Sequence, residues 1–410
     1  MIRKVVLTGF GCVSGLGIGM AETWRSVAQG KGAIRPLRRE PPPEHPNRRI
    51  DGPAARVDAD ACRAALGAAD LRSMGQLDPL SLHALAAGLE AVETAGLRGH
   101  ASLARRTAIL VGCGSGGNAT VDQAFERLYA RDLARVHPQT IPASMISAPA
   151  SHLAMLLGCH GPTFVISSAC ASSAHALGEA MHMIRSGRVE VALAGGSEAC
   201  LTLGSWVAWN SVGVMADDTC RPFSRDRKGM VLGEGAAMVV LESEEHALAR
   251  GAKILGELAG YGSSSDAAEM TAPDLPGIEA AIRMAHEDAG IAPSEPALIS
   301  THGTGTRLND VVEAAALKAV YGSALRGHTV IATKSAHGHL IGATAALEFV
   351  IGMEALARGV APPVLNHLGP DPECDLPLAL RPGPIDHRVL VSNSFAFGGL
   401  NAVLVGRLAS

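Results

Sequence analysis

The sequence predicts an α/β protein built from two similar halves. Short runs of aliphatic and β-branched residues end in glycine-rich segments, as residues 107–111 do before Gly112, which is typical of strands that feed loops at one edge of a sheet. Between these runs lie helical patterns such as residues 82–96, where apolar residues recur at three- and four-residue spacing. Strands that alternate with helices indicate an α/β architecture.

The order of these strands and helices recurs along the chain. The matched segments are 107–116 with 297–305, 164–170 with 330–337, and 191–196 with 389–394. Three pairs in the same order predict an internal duplication, with one half in residues 1–254 and the other in residues 255–410. The alternative is that any α/β protein contains repeated strand–glycine–helix patterns. If the duplication is real, the strand ends of both halves could meet at one site.

Composition and charge exclude several classes of function. The 410 residues include 35 Lys and Arg against 39 Asp and Glu, which gives a net charge of −4. Hydrophobic residues make up 47% of the chain, enough for a large core and unlike a disordered protein. A nucleic-acid-binding protein needs a basic face and usually stacking rings. The acidic balance and 3% aromatic content therefore argue against that class.

The eight cysteines include no CxxC pair, and a chain of this length can build a core without disulfides. We therefore expect reduced thiols and a cytoplasmic location. The apolar run near the N-terminus is broken by closely spaced glycines, so it does not indicate a signal peptide. No apolar stretch approaches the roughly 18 residues that a membrane span needs, so we predict no membrane span.

Cys170 is the first candidate for catalysis. It lies between an apolar run and a helical pattern that reaches about Ser186, with small residues on both sides. A thiol at a helix N-terminus is favoured as the nucleophilic thiolate, and the backbone N–H groups there can stabilise an oxyanion. The alternative is that Cys170, like most cysteines in such a protein, is a small buried hydrophobe.

Two histidines occupy similar positions at the ends of predicted strands. His302 lies in Thr301-His302-Gly303-Thr304-Gly305, and His339 follows Lys334-Ser335-Ala336-His337-Gly338. Together with Cys170 they could form a catalytic group or a zinc site. Structural zinc normally has four ligands in short local pairs, and these three residues are far apart in the sequence, so catalysis is the favoured interpretation.

Two glycine-rich segments have weaker signals. Residues 393–401 combine Phe395 and Phe397 with a glycine pair, which predicts either a loop that closes on a ligand or an ordinary turn between two strands. Residues 112–117 resemble a dinucleotide-binding loop, but the G-x-G-x-x-G spacing and the acidic ribose partner are both missing. We therefore do not predict a nucleotide site.

Taken together, these segments resemble the β-ketoacyl-acyl-carrier-protein synthases, most closely the type called synthase II. The resemblance runs from Val5 to Asn401 and also includes residues 194–199, 221–223 and 233–236. It implies the thiolase fold, in which two duplicated halves form a five-layer α-β-α-β-α sandwich. The resemblance also implies an acyltransferase that works as a homodimer, or as a heterodimer with a chain-length factor.

The resemblance assigns catalytic roles to this chain's own residues. Cys170 would accept an acyl chain from acyl-carrier protein as a thioester. His302 and His339 would hold malonyl-carrier protein and assist its decarboxylation. The backbone N–H groups of Cys170 and Phe397 would form the oxyanion hole.

Supporting roles follow from the same resemblance. Lys334 would order the site through Glu313 or Asp310, and Glu348 would be a further buried acid. Substrate-binding positions are also implied: Thr304 and Thr306 would face the pantetheine arm, and Phe223, Phe395 and Phe397 would line the acyl pocket.

The implied reaction is a decarboxylative Claisen condensation of acyl-carrier and malonyl-carrier substrates. It needs no metal and no cofactor beyond the carrier's phosphopantetheine arm. We weigh three hypotheses: fatty-acid elongation; a specialised synthase for polyketide, polyene or nodulation-type acyl chains, with or without a chain-length factor; and a non-catalytic acyl-binding subunit. Departures such as Arg307-Leu308-Asn309 after Thr306 leave the pathway open.

Overall fold

The computed structural model describes residues 3–40, 49–67, 69, 71–130 and 134–409. Its strands are β1 (Val5–Ser14), β2 (Gly17–Ile18), β3 (Arg35–Arg39), β4 (Ile50–Ala55), β5 (Thr107–Gly112), β6 (Thr163–Ile166), β7 (Val191–Glu198), β8 (Leu232–Gly233), β9 (Gly235–Ser243), β10 (Gly256–Ser265), β11 (Ala297–Ser300), β12 (Thr329–Ile331), β13 (Val360–Ala361), β14 (Gly383–Pro384), β15 (Val389–Ala396) and β16 (Leu400–Leu408).

Helices connect most of these strands. They are α1 (Met20–Ala28), α2 (Ala59–Ala65), α3 (Pro79–Thr94), α4 (Ser102–Arg106), α5 (Asn118–Ala130), α6 (Thr140–Ser144), α7 (Ala148–Leu157), α8 (Ser172–Arg185), α9 (Leu203–Val212), α10 (Glu244–Ala249), α11 (Leu275–Ala289), α12 (Arg307–Tyr321), α13 (Lys334–His337) and α14 (Thr344–Arg358). In the part of the chain that the structure describes, no helix is long and apolar enough to cross a membrane.

The strand order confirms the predicted duplication. The first half runs β6-β5-β7-β9-β1 across its sheet, and the second half runs β12-β11-β15-β16-β10. In each half the first three strands of that order are parallel, and the last two pair antiparallel. The sheets join through a short antiparallel contact between β1 and β10. The predicted boundary after residue 254 lies between α10 and β10 and stays a prediction.

The helices form three layers around these two sheets. α8 and α14 pack against each other and against strands of both sheets, so they form the middle layer. α3 covers the outer face of the first sheet, and α11, with α12 packed against it, covers the outer face of the second. α14 is buried over most of its length, as expected of a helix that is apolar on all sides. The predicted α-β-α-β-α arrangement of the thiolase fold is confirmed.

Glycines allow each outer helix to lie unusually close to its strand. A Cβ atom at Gly11 in β1 would lie 2.0 Å from the carbonyl oxygen of Ala87 in α3. A Cβ atom at Gly262 in β10 would lie 2.1 Å from the carbonyl oxygen of Ala281 in α11. The same close approach therefore occurs at equivalent places in the two halves, and it fixes how each outer helix sits on its sheet.

Two predicted elements have different limits in the structure. The helix predicted over residues 82–96 is α3, which begins at Pro79 because Asp78 caps it by accepting a hydrogen bond from the Leu80 amide. The matched segment 191–196 lies in β7, which begins at Val191 and runs through Gly195 and Gly196 to Glu198. The structure extends it because β5 and β9 pair with both glycines. All eight cysteines are buried and free, without a disulfide.

We predict that Gly262→Ala lowers the free energy of unfolding by about 1–3 kcal/mol, because the added methyl overlaps backbone that cannot withdraw easily. Gly327→Ala is the matched control, because a Cβ there meets nothing within 4 Å, and we expect its effect to stay within about 0.5 kcal/mol. Urea unfolding followed by circular dichroism measures both. Equal stability of the two variants would contradict the proposed close contact.

Candidate active site

Strand ends from both halves converge on one site. Cys170 follows β6 and His339 follows β12, which are equivalent strands of the two sheets. His302 follows β11, and Phe397 follows β15. Ligands of open α/β sheets bind at the carboxyl ends of strands, and the duplication brings two such sets of ends together.

Cys170 lies on a strained turn at the start of α8. The turn covers Ala169–Ala171, and Ala169 has φ 49°, a left-handed conformation that a residue with a Cβ seldom adopts. Ser172 stabilises the turn, since its hydroxyl donates to the Ala169 carbonyl at 2.7 Å and accepts from the Ser168 amide at 2.9 Å. The predicted position of the thiol, just before a helix N-terminus, is therefore what the structure has.

His339 directs a ring N–H at the sulfur. Its Nδ1 accepts a hydrogen bond from the Ile341 amide at 3.0 Å and lies 2.9 Å from the Thr344 hydroxyl. A backbone amide can only donate, so Nδ1 holds a lone pair and the proton is on Nε2. Nε2 lies 3.1 Å from the sulfur of Cys170. His339 is therefore placed as a neutral hydrogen-bond donor.

His302 is held by its backbone. Its amide and that of Gly303 donate to Glu313 at 2.7 and 2.8 Å, and its ring centroid lies 5.5 Å from that of His339 and 6.1 Å from that of Phe395. Among the described residues, its buried Nδ1 has no hydrogen-bond partner. The position of His302 is therefore set by its backbone hydrogen bonds and by ring packing.

Lys334 carries the buried positive charge of the site. Its ammonium group donates to both oxygens of Glu348, at 2.9 and 2.7 Å, and to the carbonyl of His302, and both side chains are almost fully buried. The expectation that Lys334 acts through Glu313 or Asp310 is therefore wrong. Glu348 lies on α14 of the middle layer. The spacing of residues along the sequence does not show that α14 brings an acid to Lys334.

Glu313 and Asp310 instead support the surrounding loops. Asp310 accepts from the Phe223 and Gly305 amides at 2.7 and 3.2 Å, and it lies 3.7 Å from Arg227. Burial raises the pKa of Glu313 to about 7 and that of Asp310 to about 6. The hydrogen bonds that each carboxylate accepts from backbone amides act in the opposite direction. Sequence reasoning missed Arg227, which lies far from Asp310 along the chain.

Burial and Lys334 together set the protonation of the site. Burial, then the charge of Lys334, holds the pKa of His302 and of His339 well below the usual histidine range, so both rings stay neutral. Burial raises the pKa of Cys170 to about 11, while Lys334 and the amides of Phe397 and Cys170 act in the opposite direction. The resting thiol is therefore protonated near neutral pH.

A cavity of about 380 Å³ opens onto these groups. Of the predicted site residues, its walls include Cys170, His302, His339, Thr304, Thr306, Phe395 and Phe397. The expectation that Phe223 lines the acyl pocket is wrong. Phe223 lies in the core of the second half, beneath Gly303, and does not line the cavity. Its positive φ of 57° and the Asp310 bond to its amide turn the ring inward.

A zinc site is the alternative left open by the sequence. The ligand atoms of Cys170, His302 and His339 lie within 4.8 Å of one another. However, a metal at Nε2 of His339 would need the proton on Nδ1, where it would face the Ile341 N–H. Two N–H groups that face each other cannot form a hydrogen bond, and this argues against a metal at the site. The resemblance to the β-ketoacyl synthases also implies no metal.

The chain is similar to known proteins over nearly its whole length. Residues 2–247 match the family described as β-ketoacyl synthase, N-terminal domain, and residues 255–367 match its C-terminal domain. The chain is 40% identical to nodulation protein E of Rhizobium sp. (strain N33), over 99% of this chain and 100% of that protein. It is 35% identical to 3-oxoacyl-[acyl-carrier-protein] synthase 2 of Coxiella burnetii, over 98% of each.

A solved structure shows the same fold. The ishigamide ketosynthase/chain length factor is 34% identical and superposes with a TM-score of 0.93, with all of both chains covered.

We predict that Lys334→Met lowers the free energy of unfolding by about 3–5 kcal/mol, because Glu348 is left buried without its partner. The double variant Lys334→Met/Glu348→Leu should recover most of this loss, since a buried ion pair and an apolar pair are often similar in stability. Lys4→Met, which removes an exposed pair with Glu244, is the control and should cost less than about 1 kcal/mol.

Denaturant unfolding of the three variants decides this prediction. A single Lys334 variant that is no less stable than the double variant would show that the ion pair does not hold the site together.

Proposed function

Because this chain belongs to the β-ketoacyl synthase family, we propose that it condenses an acyl group held on Cys170 with a malonyl thioester, with loss of carbon dioxide. The observation that carries this proposal is the contact of 3.1 Å between the sulfur of Cys170 and Nε2 of His339. The charge of the buried Lys334, which is paired with Glu348, acts on both of these groups. The chain then works as an acyltransferase, as the match to its family indicates.

The first step is acyl transfer to Cys170. The sulfur attacks the carbonyl carbon of the acyl thioester, a new carbon–sulfur bond forms, and the bond to the carrier's sulfur breaks. The proton of Cys170 leaves with the carrier thiol. The amides of Cys170 and Phe397, which both act on the sulfur, support an oxyanion hole for the tetrahedral intermediate.

The second step is decarboxylation of the malonyl group. The carbon–carboxylate bond breaks, carbon dioxide leaves, and the electron pair forms an enolate on the thioester. His302 and His339 would donate hydrogen bonds to the enolate oxygen, and neutral rings suit that role because the proton stays on the donor. The enolate carbon then attacks the acyl-Cys170 carbonyl, and the bond to the sulfur breaks. The Cys170 thiolate that leaves takes up a proton from water, which restores the thiol.

Two threonines on the cavity wall are suited to bind the carrier's pantetheine arm. Thr304 and Thr306 lie on the cavity wall with hydroxyl oxygens 2.8 Å apart, which suits the amide groups of a pantetheine arm. We propose that acyl-carrier and malonyl-carrier protein are the substrates and that no cofactor beyond that arm takes part. The reduced thiols support a cytoplasmic location.

The comparisons favour a specialised acyl chain over housekeeping fatty-acid elongation. Identity is higher to nodulation protein E than to synthase 2, and a ketosynthase/chain length factor has a closely similar fold. We therefore propose a ketosynthase of specialised metabolism, paired with a second copy or with a chain-length factor. The third hypothesis, a non-catalytic subunit, gives no account of the Cys170, His302 and His339 cluster.

Intact mass spectrometry tests the proposed nucleophile. The protein and its Cys170→Ala variant are incubated with acyl-carrier thioesters of graded length and unsaturation, alone and with candidate partner subunits. We expect an adduct of the acyl mass on the unaltered protein and none on the variant, and the preferred chain identifies the pathway. No adduct from any donor would leave the non-catalytic hypothesis in place.

His339→Ala separates the two chemical steps. We predict that carbon dioxide release from malonyl-carrier protein falls roughly 10²- to 10³-fold, because one enolate donor is lost, while Cys170 is still acylated. His182→Ala, at an exposed histidine of α8, is the control and should leave both steps unchanged. Equal loss of both steps in His339→Ala would contradict the assigned role.

A further inference from the structure

The indole of Trp209 contacts the loop that carries Phe397. The two ring centroids lie 6.1 Å apart with an interplanar angle of 34°, and both rings line the cavity that opens on Cys170. Phe397 lies in the tight turn between β15 and β16, which Gly398 and Gly399 complete at φ 85° and 67°. This turn is a short segment that depends on its neighbours for its position.

Backbone hydrogen bonds hold one side of this turn. The Gly398 amide donates to the Met270 carbonyl at 2.7 Å, and the Asp266 amide donates to the Gly399 carbonyl at 2.9 Å. These bonds fix the two glycines and leave the Phe397 ring to be held by what it packs against. On the α9 side, that contact is the ring of Trp209.

α9 is well placed to provide a rigid support. Trp206, one turn before Trp209, is almost fully buried among residues of β4, including Ile50, and of the segment around Met230. The side chain of Thr202 caps the helix at its start, and Gly213 ends it in the left-handed conformation. Trp209 therefore projects from a helix whose own position is fixed.

We propose that Trp209 is a positioning residue for the condensation. By packing on Phe397 it keeps the turn closed and keeps the Phe397 amide directed at the sulfur of Cys170, where the proposed oxyanion hole needs it. This inference rests on the proposed function, because the amide matters only if an oxyanion forms beside Cys170. The sequence did not reveal it, since α9 and the turn are far apart along the chain.

Two reactions of the same sulfur test this role. Acylation of Cys170 by hexanoyl-N-acetylcysteamine passes through an oxyanion, whereas alkylation by iodoacetamide does not. We expect the ratio of the acylation rate to the alkylation rate to fall roughly two- to tenfold in Trp209→Ala and Trp209→Leu, as loss of an aromatic pair implies. Trp209→Phe should keep a ratio near that of the unaltered protein.

Controls separate positioning from general damage. Val207→Ala changes an exposed residue of the same helix that faces a different cavity and should leave the ratio unchanged. Thermal unfolding checks that each variant is folded, and Trp209→Leu serves if Trp209→Ala is not. A structural defect would lower both rates together.

Three results would overturn the proposal: an unchanged ratio in both Trp209→Ala and Trp209→Leu, an equal fall in Val207→Ala, or an equal fall in Trp209→Phe. Failure of the proposed function itself gives a different result: the unaltered protein is alkylated at Cys170 but is not acylated by any donor.

Discussion

The buried ion pair between Lys334 and Glu348 is the interaction on which the site depends. Lys334 comes from the segment after β12, Glu348 from the central helix α14, and the same ammonium group binds the His302 carbonyl. Removing two charges from water is costly, and close pairing offsets the cost only when the geometry is good. Lys334, held in place by Glu348, then provides a positive charge that water does not screen. This charge disfavours protonation of both histidines and favours the thiolate of Cys170.

The duplicated fold explains why these groups can meet. Equivalent strands of the two sheets supply the sulfur and the donor histidine, although Cys170 and His339 lie 169 residues apart along the chain. The middle layer of α8 and α14 lies between the sheets, so helix α8 begins at the nucleophile while α14 delivers Glu348. The close approach of each outer helix at Gly11 and Gly262 packs both halves in the same way.

Much of this arrangement could be predicted from the sequence. Glycine-rich strand ends indicated the duplication, and small residues around Cys170, His302 and His339 marked these three as candidates. The resemblance to the β-ketoacyl synthases implied their chemical roles. The remaining contacts depend on how helices and strands are oriented relative to one another, which the spacing of residues along the sequence does not show. Lys334 bonds to Glu348 rather than to an acid of α12, Phe223 turns into the core, and Trp209 packs against Phe397 in the cavity wall. Each of these contacts joins side chains from separate helices, strands or loops. The relative orientation of those elements therefore determines which side chains meet.

The proposed chemistry requires His339 to be a neutral donor whose proton is on Nε2, facing the sulfur. Nitrogen NMR of the protein labelled with ¹⁵N at histidine tests it, with His339→Gln used to assign the signals. We predict that Nε2 of His339 is protonated, that Nδ1 is not, and that neither signal moves as the pH falls through about 6.5, the ordinary histidine pKa. An imidazolium that forms near that pH, or a proton on Nδ1, would contradict the assigned role of His339.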